Sequence, residues 1–449
     1  MVKINTITRN ESDYSRETKF DITKIQRSTN PNLHQFQKAR EYQRALVSVK
    51  MDKMFAKPFV GTMQGHSDAI SVLSKCASSL SKCLSGSFDG EVRCWDMTNR
   101  ETVFSLNLHK NAVKGLSFSN DGHRFVSSGD DKNIYLYDYQ NLVQSKDPNQ
   151  SEPMQKYISK QPLGNVDHSW KADEFATSGN VVQIWNYNRT NPVQKFQWGA
   201  DSILKVKYNP SQPNLVAATG IDRSIVLYDL RGETPLQKLY LPNKCHALSW
   251  NPTEPINFTV GSDDGNAYTF DMRNFKEARF IHKDHIQAIM DLDYAPTGKE
   301  FVTGSYDKTI RIFEADKGKS REVYHGKRMQ IIYSVLWSMD NEFILSGSDD
   351  MNLRIWKSQS SKPLGVVGKR QETALQYRKA VQDKFQYVKE IKRIKNHRHL
   401  PKYILNAKQR KQEQKESKFK KEKNREVYNA SIWQKPEAER KKKIQEVQE

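Results

Sequence analysis

Seven similar segments follow one another through the middle of the chain, and their regular spacing constrains the fold more than any other feature. The first is SGSFDGEVRCWD and the last is SGSDDMNLRIWK. Successive copies lie 42 to 48 residues apart and end at Asp96, Asp138, Asn186, Asp229, Asp271, Glu314 and Lys357. A repeat of this length cannot bury a core by itself, so neighbouring copies must stack against one another.

A period of about 43 residues is typical of the blades of a WD-repeat β-propeller, which contain four strands each. Runs such as VRCWD and LRIWK alternate β-forming residues, and the Gly and Asp before them favour a tight turn. Segments further upstream, such as AISVL and HALSWNP, are typical of inner strands. The sequence therefore predicts an all-β fold, a seven-bladed WD40 β-propeller with basic, partly helical N- and C-terminal extensions.

Histidine, aspartate and an aromatic residue recur where WD blades often form a buried hydrogen-bonded network. Among the copies that keep both His and Asp, two have Tyr137 or Phe313 in place of the usual tryptophan, and the third copy has a shortened turn without Asp. The residues assigned to this network are His66, Asp89, Trp95, His109, Asp131, His285 and Asp307. Because they recur at structural positions, we interpret them as residues that stabilise the blades through buried hydrogen bonds, rather than as catalytic groups.

A closed ring needs a strand from one terminus to complete its last blade, since closure protects the sheet edges. Residues 57–63, KPFVGTM, are the predicted closing strand, and residues 363–368, PLGVVG, compete for that role. This interpretation divides the chain into three segments. They are a basic arm with a helix at 1–57, the propeller at 58–368, and a basic helical extension at 369–449.

Charge is concentrated at the two ends of the chain. Residues 1–57 carry a net charge of +6, residues 58–368 are neutral, and residues 369–449 carry +14. A basic excess of this kind favours an acidic partner, most often nucleic acid. The neutral propeller is expected to serve as a docking platform.

An apolar stripe continues at helical spacing after the propeller. Between residues 374 and 394 apolar side chains recur at steps of three or four, which predicts one amphipathic helix. Two interpretations stay open, because the stripe can pack on the propeller, dock on a partner, or do both. Pro401 should end this helix near residue 396 and allow another to begin near 402.

The segment IKNHRHLPKYI, residues 394–404, places two histidines among basic residues. No Cys or acidic residue lies between positions 392 and 412, so a metal site is not favoured. We interpret the segment as a basic elbow between two helices. The side chains expected to meet phosphate there are His397, Arg398, His399 and Lys402.

Beyond residue 407 the chain is highly charged and has few apolar anchors, so alone it is predicted to be disordered or a frayed helix. Basic residues interleaved with aromatic ones can contact phosphates and stack on unpaired bases, which indicates folding on a partner. The alternative is a solvating tail, which the net charge of the segment disfavours. The candidate contacts are Lys420, Lys421, Arg425 and Trp433.

The N-terminal segment is expected to need support from the propeller or from a partner. Residues 16–22 are typical of an extended arm, and the stretch from residue 30 to 59 is typical of a helix with few apolar residues.

Several function classes lack support in the sequence. The four cysteines form no CxxC pair, which disfavours a zinc site and favours a reducing, intracellular compartment. No run of about 18 apolar residues is present, which disfavours a membrane span. Phosphate-binding loops, zinc-protease motifs and nucleophile elbows are missing as well. We therefore predict a protein without catalytic, cofactor-binding or metal-binding residues.

The flanking segments resemble the suppressor-of-fibrillarin family of WD-repeat proteins, whereas the blades alone are common to many proteins. Gln35 stands where the family is expected to have proline. The motifs that carry the resemblance are TRN (8–10), DY (13–14), RET (16–18), DI (21–22), Asn30-Pro31, Leu33-His34, REYxRAL (40–46), FAKPF (55–59), HRHLPK (397–402), Ile404 and Ala407.

The resemblance implies a nuclear, nucleolar and non-enzymatic component of the small-subunit processome. That assembly contains the U3 small nucleolar RNA and matures 18S rRNA from its precursor. The implied partners are pre-rRNA, the ribonucleoprotein that contains U3 RNA, and other processome proteins. The propeller would dock proteins, and the basic extensions would bind pre-rRNA and proteins.

A second function stays open, that of a substrate receptor of a cullin-RING E3 ubiquitin ligase with a cullin ligase adaptor as partner. Some WD-repeat receptors carry an aromatic-Asp-x-Arg motif at the end of a blade strand. Two segments match it, at positions 228–231 and 270–273, and their candidate contacts are Asp229, Arg231, Asp271 and Arg273. In the structural interpretation, the Asp and Arg of each motif only close a turn.

Overall fold

The computed structural model describes residues 36–145, 152–197, 202–232, 234–428 and 444–448. These residues form seven antiparallel sheets, each built on four strands, and a few helices, most of them near the two ends of the chain. The predicted seven-bladed propeller is confirmed. The described part of the chain contains no helix that is long and apolar enough to cross a membrane.

Blades 1 to 6 each use four consecutive strands, ordered from the inner to the outer edge. The strands are β2 (Ile70–Lys75), β3 (Lys82–Ser87), β4 (Glu91–Asp96), β5 (Glu101–Asn107); β6 (Val113–Phe118), β7 (Arg124–Gly129), β8 (Asn133–Asp138), β9 (Gln155–Ile158); β10 (Val166–His168), β11 (Glu174–Thr177), β12 (Val182–Asn186), β13 (Gln194–Phe196); β14 (Ile203–Tyr208), β15 (Leu215–Gly220), β16 (Ser224–Asp229), β17 (Pro235–Tyr240); β18 (Cys245–Trp250), β19 (Asn257–Ser262), β20 (Asn266–Asp271), β21 (Phe280–Lys283); β22 (Ile289–Tyr294), β23 (Glu300–Ser305), β24 (Ile310–Glu314), β25 (Ser320–Tyr324).

Blade 7 is completed from both ends of the repeat array. Its inner three strands are β26 (Ile332–Trp337), β27 (Phe343–Ser348) and β28 (Asn352–Lys357), and its outer strand is β1 (Phe59–Gln64). The pairing of β1 with β28 is antiparallel. Residues 57–63 were the predicted closing segment, and the strand that closes the ring begins within them.

Two blades depart from the regular pattern. Blade 3 has strands of only three to five residues, which agrees with the shortened turn seen in its sequence. Blade 4 gains a fifth strand, β29 (Glu446–Gln448), which pairs antiparallel with its outer strand β17. Val447 of β29 packs against the apolar cluster shared by blades 4 and 5.

At several junctions between neighbouring blades, the backbones approach so closely that the second strand has glycine at one position. The α-carbon of Gly86 faces Val113 of the next blade, and a Cβ added there would lie 2.7 Å from a methyl carbon of that valine. At the closing junction, a Cβ on Gly347 would lie 2.6 Å from a methyl carbon of Ile70. Glycine is therefore required for tight stacking at these two junctions.

Ion pairs connect inner strands across the ring. Lys75 of blade 1 reaches Asp293 of blade 6 at 2.7 Å, and Lys205 of blade 4 reaches Asp291 of blade 6 at 3.0 Å. Asp291 and Asp293 also accept hydrogen bonds from backbone N–H groups of β26. These contacts join blades that are not neighbours in the ring.

The described residues outside the blades are mainly helical. The helices are α1 (Gln37–Met54), α2 (Tyr139–Gln144, between β8 and β9), α3 (Lys369–Lys384), α4 (Lys389–Lys395) and α5 (Lys402–Tyr428). The helix expected before the first blade is present, and the extended arm at 16–22 lies outside the described residues. The gap between α4 and α5 falls where Pro401 was predicted to place it.

The prediction of one continuous helix over 374–394 is wrong, because the chain breaks between α3 and α4. Val381 and Ile391 are ten positions apart, so on a single straight helix their side chains would point roughly 80° apart. The break allows both to be buried against Ala45 and Val49 of α1. The apolar stripe thus packs on the N-terminal helix.

The chain divides into two compact units. In the first, the described residues are 36–55 and Pro363–Lys395; in the second, they are those of Ala56–Lys362 together with 396–428 and 444–448. The C-terminal extension therefore contributes to both units. The division of the chain into segments 1–57, 58–368 and 369–449 stays a prediction.

Replacing Gly347 by alanine should destabilise the propeller, because the new Cβ overlaps Ile70 at the junction that closes the ring. We expect the free energy of unfolding to fall by about 1–3 kcal/mol, measured by denaturant titration. The matched control is Gly368→Ala, since no atom lies within 4 Å of a Cβ built there. Equal stability of the two variants would contradict the packing argument.

Candidate functional site

The histidines of blades 2 and 6 hold the turns of their blades. In blade 2, His109 Nδ1 lies 2.8 Å from Asp131 Oδ1, and in blade 6, His285 Nδ1 lies 2.9 Å from Asp307 Oδ2. The second ring nitrogen of each histidine contacts a hydroxyl of its own sheet. Burial lowers the pKa of both histidines, so the neutral imidazole is favoured. These are satisfied structural networks.

Blade 1 uses a different partner from the expected one. His66 Nδ1 lies 3.0 Å from Glu91 Oε2, whereas Asp89 caps the turn by accepting from the backbone N–H of Glu91. His66 Nε2 and the indole N–H of Trp95 both contact the hydroxyl of Ser85, at 2.6 and 2.7 Å. The longer glutamate side chain, from the start of the third strand, thus replaces the turn aspartate in this network.

The carboxylates of Asp89 and Glu91 and the imidazole of His66 lie within 4.8 Å of one another, the one such grouping in the part of the chain that the structure describes. Both ring nitrogens of His66 already have protein partners, and Glu91 also pairs with Arg93 at 2.7 Å. The blade network therefore accounts for this grouping.

The four cysteines are free thiols in the interior of the propeller. Burial raises the pKa of Cys94 to about 12 and also raises the pKa of Cys83 and Cys245. Since the thiolate is the reactive form, these side chains are suited to packing.

The basic elbow docks on blade 6 through a single buried carboxylate. Asp284 is only 5% exposed, and its Oδ2 lies 2.5 Å from Arg398 Nη1 and accepts the backbone N–H of Ser320 at 2.9 Å. Arg311 and Lys408 approach the same carboxylate at 3.7 and 3.8 Å. Burial opposes ionisation, but Arg311, Ser320 and Arg398 together lower the pKa of Asp284. The carboxylate is thus an anionic anchor for the extension.

Two further contacts hold the elbow and the start of α5 on blade 6. The hydroxyl of Tyr403 donates to the backbone carbonyl of Asp307, the turn residue of that blade. The rings of His325 and His399 stack at a centroid distance of 5.3 Å, with two ring nitrogens 3.1 Å apart. Ile404 is fully buried. The first turn of α5 is therefore part of the propeller surface.

The four predicted phosphate contacts of the elbow have different surroundings. Arg398 is paired with Asp284, and His399 is stacked on His325. The side chains of His397 and Lys402 are exposed. Contact with phosphate remains a prediction for all four, and the structure places two of them in internal interactions.

Most of α5 is solvent-exposed on every side. Each described side chain from Lys408 to Arg425 is exposed. Lys411, Lys418 and Arg425 recur at seven-residue intervals, which aligns them along one side of the helix for about 20 Å. Lys421 flanks this basic stripe, whereas Lys420 lies on another side. Trp433, the remaining candidate in the tail, lies outside the described residues.

The two arginine motifs end the third strands of adjacent blades 4 and 5, at the same edge of the ring. Arg231 is 75% exposed, and its Nε lies 4.0 Å from Asp229. Arg273 is 68% exposed and forms a two-point ion pair with Asp271, at 2.9 and 3.1 Å. Both guanidinium groups therefore lie at the surface. The contact between Asp and Arg that closes the turn is shorter in blade 5 than in blade 4.

Sequence reasoning missed Asp284 and His325 as docking residues for the extension. A signal was present for the first, since Asp284 directly precedes the network histidine His285 in HKDHI. No local pattern marks His325, because its partner lies far along the chain.

Two family profiles match the chain. One is described as a Sof1-like domain and matches residues 358–444. The other is described as WD domain, G-beta repeat, and matches residues 57–96, 100–138, 277–314 and 318–357.

Similar proteins from other organisms match nearly the whole chain. Protein sof1 of Schizosaccharomyces pombe is 47% identical over 424 residues, which cover 94% of each chain. DDB1- and CUL4-associated factor 13 of Danio rerio is 42% identical over 423 residues, again 94% of each chain. The Homo sapiens protein of the same name is 42% identical over 424 residues, covering 94% of this chain and 95% of its own.

Replacing Arg398 by glutamine should release the elbow from blade 6, because Asp284 then loses its nearest charged partner. Hydrogen bonds to charged groups contribute about 1.5–3 kcal/mol, so amide exchange of residues 397–407 should accelerate by roughly tenfold or more. Hydrogen–deuterium exchange with mass spectrometry would measure this. The control is Arg393→Gln, which removes an exposed arginine from α4. Unchanged exchange in the Arg398 variant would show that the ion pair does not hold the elbow.

Proposed function

The chain belongs to the Sof1-like family of WD-repeat proteins, and on that premise we propose that it is a non-catalytic scaffold of ribosome assembly. In this proposal the propeller docks proteins, and the basic extension holds precursor ribosomal RNA. The finer assignment is the small-subunit processome, with U3 small nucleolar RNA and the precursor of 18S rRNA as RNA partners. The corresponding location is the nucleolus.

The exposed helix α5 carries the argument for RNA binding. A helix with solvent on all sides gains little from packing, so its charge pattern is free to serve a partner. The basic stripe formed by Lys411, Lys418 and Arg425 is long enough to span several phosphate groups of an RNA strand. The contacts of the elbow with blade 6 fix the position of the helix end from which the stripe extends. Rigid anchoring of one end reduces the entropy lost when the helix binds a polyanion.

The division of charge within the chain supports a scaffold with two kinds of surface. The propeller segment is neutral, whereas residues 369–449 carry +14. A neutral ring favours selective protein contacts, and a basic arm gives salt-dependent attraction to phosphate. One molecule can therefore join proteins to RNA.

Replacing Lys411, Lys418 and Arg425 together by glutamine should weaken RNA binding. Each phosphate contact contributes about 0.7 to the slope of log affinity against log salt for single-stranded RNA. The slope should therefore fall by roughly 2 for the triple variant. Fluorescence anisotropy with a labelled single-stranded fragment of the 18S rRNA precursor would measure affinity and slope in the full chain.

The matched control removes the same charge from exposed propeller lysines, as Lys110→Gln, Lys276→Gln and Lys299→Gln. It should keep the slope of the unaltered chain. Crosslinking and sequencing of RNA in cells identifies the RNA itself. Recovery of U3 and 18S precursor sequences supports the assignment, whereas a slope that is equal in both triple variants would refute the role of the stripe.

A second candidate function is favoured by the exposed arginines of blades 4 and 5. Some relatives carry the name DDB1- and CUL4-associated factor 13. Arg231 and Arg273 stand at equivalent strand ends, where a partner can reach both guanidinium groups. In this candidate function the same propeller also binds the DDB1 adaptor of a cullin-RING ubiquitin ligase.

Reversing both charges, as Arg231→Glu and Arg273→Glu, should reduce the affinity for purified DDB1 by at least about tenfold, because interfacial arginines often dominate binding. Biolayer interferometry with the full chain would measure it. The control is Arg189→Glu with Arg328→Glu, two exposed arginines in other blades. Full binding by the first variant would reject the adaptor contact.

A further inference from the structure

Among the residues that the structure describes, the unit formed by α1, α3 and α4 has a very small core. Its apolar cluster has four buried members, Ala45, Val49, Val381 and Ile391. Three short helices with so little buried apolar area are marginal by themselves. More burial is available on a second side of α1.

A second apolar stripe runs along α1, away from the buried one. Val47, Met51 and Met54 recur at steps of four and three, the spacing of a helix-packing seam. Val47 is 46% exposed and Met54 is 73% exposed. A helix with one buried seam and one exposed apolar seam is suited to packing on two sides.

The exposed seam borders a groove between α1 and α3. The groove has a volume of about 460 Å³, and its lining includes the apolar side chains of Val47, Met51 and Ala374, which we call its apolar floor. Arg40, Arg44 and Arg378 are also part of its lining. Among the described residues that line the groove, none is acidic.

The two acidic residues of α1 are engaged elsewhere. Glu41 pairs with Lys384 at 2.6 Å, and Asp52 accepts from Gln382 at 2.6 Å. Arg44, in contrast, donates a neutral hydrogen bond, 3.0 Å to the hydroxyl of Tyr377. The groove therefore combines an apolar floor with guanidinium groups that a negatively charged partner can neutralise.

We propose that the α1–α3 groove is a docking site for an amphipathic, acidic-flanked helix of a partner protein. The apolar seam of the incoming helix covers Val47, Met51 and Ala374, which completes a four-helix arrangement. Carboxylates beside that seam pair with Arg44 and Arg378, and Arg can bind a carboxylate at two points. This inference does not depend on RNA binding by α5.

The floor of the groove favours a protein helix over RNA. Phosphate groups need cations and polar donors, and they gain nothing from an apolar floor of valine, methionine and alanine. An amphipathic helix buries such a floor, as helix-in-groove recognition does elsewhere. The arginines then select for acidic flanks by charge complementarity.

Site-specific photo-crosslinking in the full chain tests this directly. A benzoylphenylalanine placed at Gln43, on the edge of the groove, captures whatever lies there in cells, and mass spectrometry identifies the crosslinked peptide. We expect a segment of another protein with apolar residues at helical spacing and acidic neighbours. Crosslinks to RNA, to residues 1–35 of this chain, to a second copy or to no segment of this type would overturn the proposal.

Charge-reversal variants decide whether the arginines recognise that partner. Arg44→Glu with Arg378→Glu should reduce the crosslinked yield by about tenfold or more. The matched control is Lys38→Glu with Lys379→Glu, which changes the same charge on other sides of the same helices. Circular dichroism of both variants checks that the helices are retained. A second variant, Val47→Ser, shortens the apolar floor without altering charge and should also lower the yield of crosslinked peptide. An unchanged crosslinking yield in both the arginine variant and Val47→Ser would overturn the proposal.

Discussion

Closure of the ring is the constraint on which the rest of the structure depends. Without closure, β28 would be an open edge of blade 7, and its pairing with β1 covers that edge. Because that pairing joins the start and the end of the repeat array, the segments before and after it leave the ring at one blade. The N-terminal helix α1 and the C-terminal helices α3 and α4 are thereby joined to neighbouring strands, which explains why helices so distant in sequence share one small core.

The propeller could be predicted from the sequence because its signal is periodic and local. A turn with Gly and Asp before a β-forming run recurs in almost every copy, so blade number and strand order follow from spacing alone. The helix break at 385–388 could not be predicted in this way, because it depends on both Val381 and Ile391 reaching α1. The network of blade 1 was misassigned for a related reason, since Glu91 competes with Asp89 for His66 only when side-chain length and strand geometry are known.

The docking of the C-terminal extension shows how one carboxylate can organise a strongly basic segment. Asp284 is held in blade 6 by Ser320 and Arg311, and it receives Arg398 as its closest charged partner. Most basic side chains of α5 have no comparable surroundings, because the helix is exposed beyond its first turns. The candidate residues of the elbow and of α5 thus separate into a docked group and an exposed group, a separation that charge counting alone cannot make.

The lysine–aspartate pairs between inner strands change how the ring responds to thermal motion. In most repeat proteins each repeat contacts only its immediate neighbours, so single repeats can open one at a time. Here Lys75 connects blade 1 to blade 6, and Lys205 connects blade 4 to blade 6, each bypassing the blade between them. Opening blade 5 or blade 7 strains an ion pair between the two blades beside it. The inner strands of blades 4 to 7 and of blade 1 are thereby coupled, and their slowest amide exchange reports a shared opening.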